Sequence, residues 1–92
     1  MSRFLAFDVG AESGRTLLGH LSGTRLTLEP VHRFANVPAQ VGSTLRWDVD
    51  TLWHEMRAAI TMIDPALTSL CVDTWGCDYA LLDAHGTLVV QP

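Results

Sequence analysis

An acid, two glycines, a serine and an arginine fall within eight residues near the start of the chain, in the segment 8-DVGAESGR-15. The segment follows the apolar run FLAF, which predicts a turn at the end of a buried strand. Backbone amides of such a turn can surround a phosphate group, and an arginine side chain adds a charged fork that suits it. Asp8 fits beside a phosphate only if a divalent cation lies between them, and Mg²⁺ accepts one or two carboxylates. The pattern is therefore compatible with a Mg²⁺–phosphate loop.

A plain hairpin explains the same turn equally well from spacing alone. In that interpretation Gly10 and Gly14 only supply backbone conformations that residues with a Cβ avoid. Two better-known glycine motifs are excluded: the chain has no lysine for a P-loop, and the glycine spacing of a dinucleotide-binding turn is absent. The identity of a ligand for this turn has to be inferred from other residues of the chain.

A second polar segment, 73-DTWGCD-78, follows another apolar run and precedes a further short apolar stretch. The ends of strands in α/β sheets are common ligand sites, so this segment is a candidate for binding a sugar. From the residue types alone, a polar turn with one buried tryptophan is favoured over a sugar-binding segment. Asp73, Thr74 and Asp78 are the candidates for bonding sugar hydroxyl groups. Trp75 is the candidate for stacking on a sugar face, and Gly76 would admit a ligand close to the backbone.

Composition limits the class of protein. The 92 residues form at most one small domain, yet 48% of them are hydrophobic and the mean hydropathy is +0.20. That excess predicts apolar faces covered by chain beyond this segment. A net charge of −4 disfavours nucleic acid as a partner. The sequence has no apolar run long enough for a membrane span and no signal-peptide pattern, which predicts a cytoplasmic protein without a membrane partner.

The predicted elements are three strands, a helix and two further strands, giving an α/β fold with a mixed sheet. The strands are expected at 4–9, 15–21 and 26–34 as an antiparallel meander, with a loop over 36–44 and a brief strand at 45–47. We expect a crossover helix with Asp50 as its N-cap and Pro65 as its end, followed by strands at 67–72 and 79–83 and the beginning of a further strand at 88–90. Trp47, Trp53 and Cys71 are expected in the core.

Several segments, taken in order, resemble the N-terminal region of the FGGY carbohydrate kinase family, and within it the rhamnulokinase branch. They are VGAESGR after FLAFD, then HRFANV, then LRWDVDTLW, then CVDTWGCDYALLDAHG. The turn alone indicates only the broader superfamily of sugar kinases, hexokinase and actin. The later segments are much more specific, and the resemblance runs over essentially the whole chain, from Phe4 to Gly86.

The resemblance implies an ATP-dependent kinase that phosphorylates L-rhamnulose to L-rhamnulose 1-phosphate with Mg²⁺. It also implies two domains of ribonuclease H-like, actin/hexokinase-type fold, of which residues 1–92 are the N-terminal part of the first. Glu12 stands where relatives often have a small residue, so its carboxylate is expected to point away from phosphate. By this resemblance Asp8 is a metal ligand and Gly76 lies at the sugar site. The implied ATP phosphate loop consists of Ala11, Glu12, Ser13, Gly14 and Arg15.

In that family the aspartate that takes the proton from the sugar hydroxyl lies far downstream of this segment. The resemblance therefore implies that the 92-residue chain is inactive by itself, and its uncovered sheet is expected to self-associate. Alternatives remain open: a kinase of the same family that acts on fuculose, xylulose or glycerol, a non-catalytic actin-like nucleotide-binding domain, or a structural domain whose glycines only make hairpins.

Overall fold

A computed structural model describes residues 2–63, 66–90 and 92 of the chain. Its first three strands, β1 (Ser2–Val9), β2 (Ser13–Ser22) and β3 (Arg25–Ala35), pair in antiparallel fashion in sequence order. Short turns join them, and Gly23 in the second turn has a φ of +61° that favours glycine. The predicted meander is confirmed.

The segment between β3 and the helix is more ordered than the sequence predicts. Strand β5 (Thr44–Arg46) overlaps the brief strand expected at 45–47, and it pairs in a two-stranded hairpin with β4 (Ala39–Val41), which lies within the expected loop over 36–44. Gly42 makes its turn with a φ of +61°. The missed strand β4 is only three residues long, which is too short for an alternating apolar pattern to reveal it.

The helix α1 spans Val49–Thr61. Its N-cap is Asp48, so the prediction of Asp50 was wrong by two residues. The Asp48 carboxylate accepts hydrogen bonds from the Thr51 amide at 3.0 Å and the Thr51 hydroxyl at 2.8 Å, and these bonds hold the pKa of Asp48 below its usual value of 3.8. Asp50 lies in the first turn, where its negative charge interacts favourably with the positive end of the helix dipole. The stop expected at Pro65 lies outside the described residues.

After the helix, strand β6 (Ser69–Thr74) pairs with β1 in parallel. The main sheet therefore has the order β3-β2-β1-β6 and is mixed, as predicted. The crossover places the C-terminal ends of β1 and β6 side by side, with Asp8 opposite Asp73 and Val9 opposite Thr74. Both polar segments singled out in the sequence thus lie next to each other at the C-terminal ends of β1 and β6.

The core lies between α1 and one face of the sheet. Its buried members come from β1, β2 and the helix, and half-buried side chains of the helix pack against them; the buried set is Leu5, Phe7, Val9, Leu18 and Ala59. Cys71 is exposed and Trp53 is 55% exposed, so their predicted burial was wrong. Cys71 lies on β6, an edge strand of the main sheet, and all six residues of that strand are exposed.

The last strands do not extend the main sheet. Strands β7 (Leu81–Leu82) and β8 (Leu88–Val90) form their own antiparallel ribbon, so the strand expected over 79–83 is shorter than predicted. The Asp83 carboxylate accepts the amides of His85 and Thr87 and closes the turn, while Gly86 has a φ of +80°. Within the described residues, no helix has the length and apolar character to cross a membrane.

Candidate functional site

The turn between β1 and β2 is a tight three-residue connection, from Gly10 to Glu12. The Gly10 amide donates to the Ser13 carbonyl at 2.9 Å, directly beyond the last strand pair, Val9 with Gly14. Ala11 and Glu12 form the exposed tip. Within the described part of the chain, neither of their amides has a hydrogen-bond acceptor. The tip therefore offers two free donors to a ligand.

Asn36 fixes this turn from the side, and it was not among the site residues predicted from the sequence. Its side-chain amide donates to the Gly10 carbonyl at 2.8 Å, and its backbone amide donates to the Glu12 carbonyl at 2.9 Å. Asn36 is only 6% exposed. Asn36 thus bonds two carbonyl oxygens of the turn and leaves the amides of Ala11 and Glu12 without a partner among the described residues. The only sequence signal was its place in the segment HRFANV.

Removing the Asn36 side chain is expected to loosen the turn. In N36A the Gly10 carbonyl loses its partner, which costs about 1–2 kcal/mol at a site sheltered from water. Amide hydrogen exchange measured by mass spectrometry should accelerate in residues 10–14 and stay unchanged in the distant turn at 83–87. The matched variant Q40A removes another side-chain amide that donates to a backbone carbonyl, at an exposed position. Equal protection of residues 10–14 in N36A and Q40A would contradict this role.

Gly14 is required by packing rather than by its backbone angles. A Cβ at this position would lie 2.1 Å from Cζ of Phe34, the residue opposite it on β3. Neither Gly10 nor Gly14 has a positive φ, so the expectation that both adopt conformations closed to other residues was wrong. A Cβ on Gly10 would meet the Ser13 carbonyl at 3.1 Å, a second close approach. The Phe34 ring occupies the space above Gly14 and supports the start of β2.

Asp8 and Arg15 form an ion pair across β1 and β2. The Arg15 Nε donates to Oδ2 of Asp8 at 2.9 Å, with the two side chains 57% and 44% exposed. An exposed pair of this kind contributes at most about 1 kcal/mol to stability. The bond fixes the direction of both side chains. Oδ1 of Asp8 has no hydrogen-bond partner in the described part of the chain.

Four charged residues form a row across the main sheet near this turn. Arg33 on β3 lies opposite Arg15 on β2, Arg15 lies opposite Asp8 on β1, and Asp8 lies opposite Asp73 on β6. The sign of charge therefore changes midway across the sheet, with arginines on one side and acids on the other. Next to the turn is an open groove of about 280 Å³. Its lining residues are Asp8, Gly10, Ser13, Arg15 and Arg33.

The residues present fit the magnesium ion that the sequence predicts. Asp8 and Asp73 hold neighbouring register positions, and Mg²⁺ binds through one or two carboxylates while it keeps several waters. In the described part of the chain no cluster of three or more His, Cys, Asp or Glu residues suits a metal. A metal held by such a site would therefore need ligands from water or from a bound phosphate.

The expected sugar-binding residues lie at the same end of β6 but in different surroundings. Trp75 is half-buried, packs against the core and lies 4.9 Å from Trp47 between ring centroids. Gly76 is exposed, and a Cβ there would meet no atom within 4 Å. The Asp78 carboxylate accepts the amide of the next residue, Tyr79. Asp73 is the member of this group that adjoins the groove residues, through its register with Asp8.

Comparison with known proteins identifies relatives along almost the whole chain. It is 37% identical over 92 residues to a rhamnulokinase of Bacteroides thetaiotaomicron, 38% over 93 to one of Enterococcus faecalis and 42% over 93 to one of Klebsiella pneumoniae. These matches cover 96–97% of the chain but 19% of each relative. No family model matches. The chain spans about a fifth of the length of the curated relatives it matches, and the resemblance to rhamnulokinases is confirmed for that part.

Proposed function

We propose that this chain is the N-terminal part of the first domain of a rhamnulokinase-type carbohydrate kinase. The complete enzyme would transfer the γ-phosphoryl group of ATP to L-rhamnulose, giving L-rhamnulose 1-phosphate and ADP in the cytoplasm. The observation that carries this proposal is identity of 37–42% to three rhamnulokinases along nearly the whole chain. The mixed sheet and the crossover helix α1 are compatible with a ribonuclease H-like domain of the actin/hexokinase type.

In this proposal the turn at residues 10–15 binds the phosphates of ATP. The free amides of Ala11 and Glu12 donate to phosphate oxygens, and the Ser13 hydroxyl and Arg15 guanidinium add to them from the groove. Such contacts with a charged group contribute roughly 1.5–3 kcal/mol each. They hold the donor in place, which is the principal task of a protein in phosphoryl transfer.

Asp8 would bind Mg²⁺ through its free oxygen while Arg15 holds the other oxygen. A bound Mg²⁺ neutralises charge on the transferring phosphoryl group. Glu12 is exposed at the tip of the turn, where its carboxylate can stay in solvent while its backbone amide faces the phosphate. This arrangement explains how an acid is tolerated in a phosphate-binding turn.

The sugar would bind beyond the end of β6, near Asp73, Trp75 and Gly76. Asp73 carries a carboxylate for sugar hydroxyls, and exposed Gly76 leaves space for close approach. We place the base that activates the sugar hydroxyl outside residues 1–92, in the part of the enzyme that corresponds to the remaining four-fifths of the relatives.

The experiment that tests the proposed function is an ADP-coupled assay of the complete gene product with ATP, Mg²⁺ and a panel of acceptors. L-Rhamnulose is expected to give the highest kcat/KM, above L-fuculose, D-xylulose and glycerol. A higher value for one of those three would keep the kinase class and change the acceptor. The absence of turnover with all four would overturn the proposal.

The 92-residue chain by itself is expected to show no sugar-dependent ADP formation, because it holds the donor but not the group that activates the acceptor. We also expect it to self-associate through β6, where Leu70 and Val72 are 51% and 49% exposed. The purified chain should give no signal in the coupled assay and a concentration-dependent mass in light scattering. Rhamnulose-dependent turnover by this chain, or a clean monomer at high concentration, would contradict the respective expectation.

A further inference from the structure

We propose that Arg33 is a second phosphate-binding cation of the groove, contacting the polyphosphate of the nucleotide from the β3 side. This inference rests on the proposed function for the identity of the ligand. Its evidence comes from the position of Arg33 in the sheet, from its lack of a partner and from the groove that it shares with the turn.

The first observation is the register of β2 and β3. Arg33 lies directly opposite Arg15, so two positive side chains stand on neighbouring strands at the same level. Like charges at directly opposite positions destabilise a sheet. Asp8 neutralises one of the two through its bond to Arg15. The second positive charge is left without compensation, and an anion bound between the two strands would supply it.

The second observation is that Arg33 is free to bind. It is exposed, and within the described residues its guanidinium has neither a carboxylate partner nor a hydrogen bond. By contrast, Arg15 already donates its Nε to Asp8. Arg15 therefore approaches a ligand in a fixed orientation with part of its fork occupied, whereas Arg33 retains all of its donors.

The third observation is the groove itself. Arg33 lines it together with Ser13 and Gly10 of the turn, and with the ion pair of Asp8 and Arg15. A polyphosphate that begins at the free amides of the turn would continue along this groove between the two arginines. The acids lie on the far side of the row, so the positive end of the groove is the end formed by β2 and β3.

The test compares R33Q, R33K and R25Q in the complete gene product. Arg25 is an exposed arginine at the other end of β3, opposite Ser22, and serves as the matched control. We expect R33Q to raise the KM for MgATP and the Kd for MgADP by roughly 10-fold, the size of one charged hydrogen bond. The KM for the sugar should stay within about twofold. R33K should recover part of the loss, and R25Q should match the wild type.

The outcomes separate this inference from the proposed function. If the wild type turns over sugar and binds MgADP but R33Q binds MgADP like R25Q, the role of Arg33 is wrong and the kinase assignment stands. If the wild type binds MgADP without phosphorylating any sugar, the kinase assignment fails and the MgADP affinity of R33Q still decides on Arg33. If the wild type binds no MgADP, both are overturned. An equal rise of the sugar and nucleotide KM values in R33Q would indicate a structural role and also contradict the inference.

Discussion

Replacing Gly14 by alanine is expected to lower the free energy of unfolding of the β1–β3 meander by about 1–3 kcal/mol, the usual cost of overpacking. The added methyl group would lie 2.1 Å from Cζ and 2.6 Å from Cε1 of Phe34, distances that force the ring to move. Phe34 is 9% exposed, so its ring has little room to move. Native-state hydrogen exchange of the strand amides in the complete gene product measures this loss directly.

Two further variants show whether the cause is the contact with Phe34. In the double variant G14A/F34L the shorter side chain leaves space for the methyl group, so the two changes should cost less together than the sum of their separate costs. The control G76A adds a methyl group where no atom lies within 4 Å and φ is not positive, and it should change stability by less than about 0.5 kcal/mol. Strictly additive costs in the double variant would rule out the steric explanation.

Replacing Asp8 by asparagine is expected to lower kcat of the complete enzyme at least about 100-fold. Loss of one preorganised electrostatic contact to the reacting group typically costs two to three orders of magnitude in rate. Asparagine retains an oxygen that can accept a hydrogen bond from the Arg15 Nε, so a bond between the charged guanidinium and a neutral amide replaces the ion pair and the fold is preserved. The change therefore removes the charge that would bind Mg²⁺ and that neutralises Arg15, while the shape of the side chain is kept.

The measurement is kcat at saturating sugar together with its dependence on Mg²⁺ concentration. D8N should require more Mg²⁺ for half-maximal activity, and its affinity for ADP measured without Mg²⁺ should change little. The control D50N removes an exposed carboxylate from the first turn of α1 and should leave kcat within about twofold of the wild type. A D8N enzyme that keeps more than a fifth of the wild-type kcat would show that Asp8 is not a metal ligand.

The elements that the sequence predicted well are those with a long pattern or a short connection. The β1–β3 meander follows from apolar strands joined by turns too short for any other pairing. The parallel strand after the helix follows from the crossover rule. The helix itself was evident from its apolar spacing, but its first residue was not. Asp48 and Asp50 are both good caps, and only the bonds between Asp48 and Thr51 distinguish them.

The features that the sequence did not predict depend on contacts between strands. Phe34 covers Gly14 because of a register that includes an irregularity between Thr16 and Leu17, and no local pattern specifies it. The same register places Arg33 beside Arg15, although the two are far apart in the chain. The burial predicted for Cys71 failed for a related reason. An apolar run indicates a strand, but whether neighbours cover that strand is decided by its position at the edge of the sheet.

In the proposed enzyme the turn between β1 and β2 binds the phosphates of the nucleotide. A crystal structure of the complete gene product with Mg²⁺ and a non-hydrolysable ATP analogue would locate those phosphates. We expect phosphate oxygens within hydrogen-bonding distance of the Ala11 and Glu12 amides, with the polyphosphate in the groove between Arg15 and Arg33. A nucleotide bound with its phosphates outside this groove, and no ligand contact to residues 10–15, would overturn the assignment of this turn as the phosphate-binding loop.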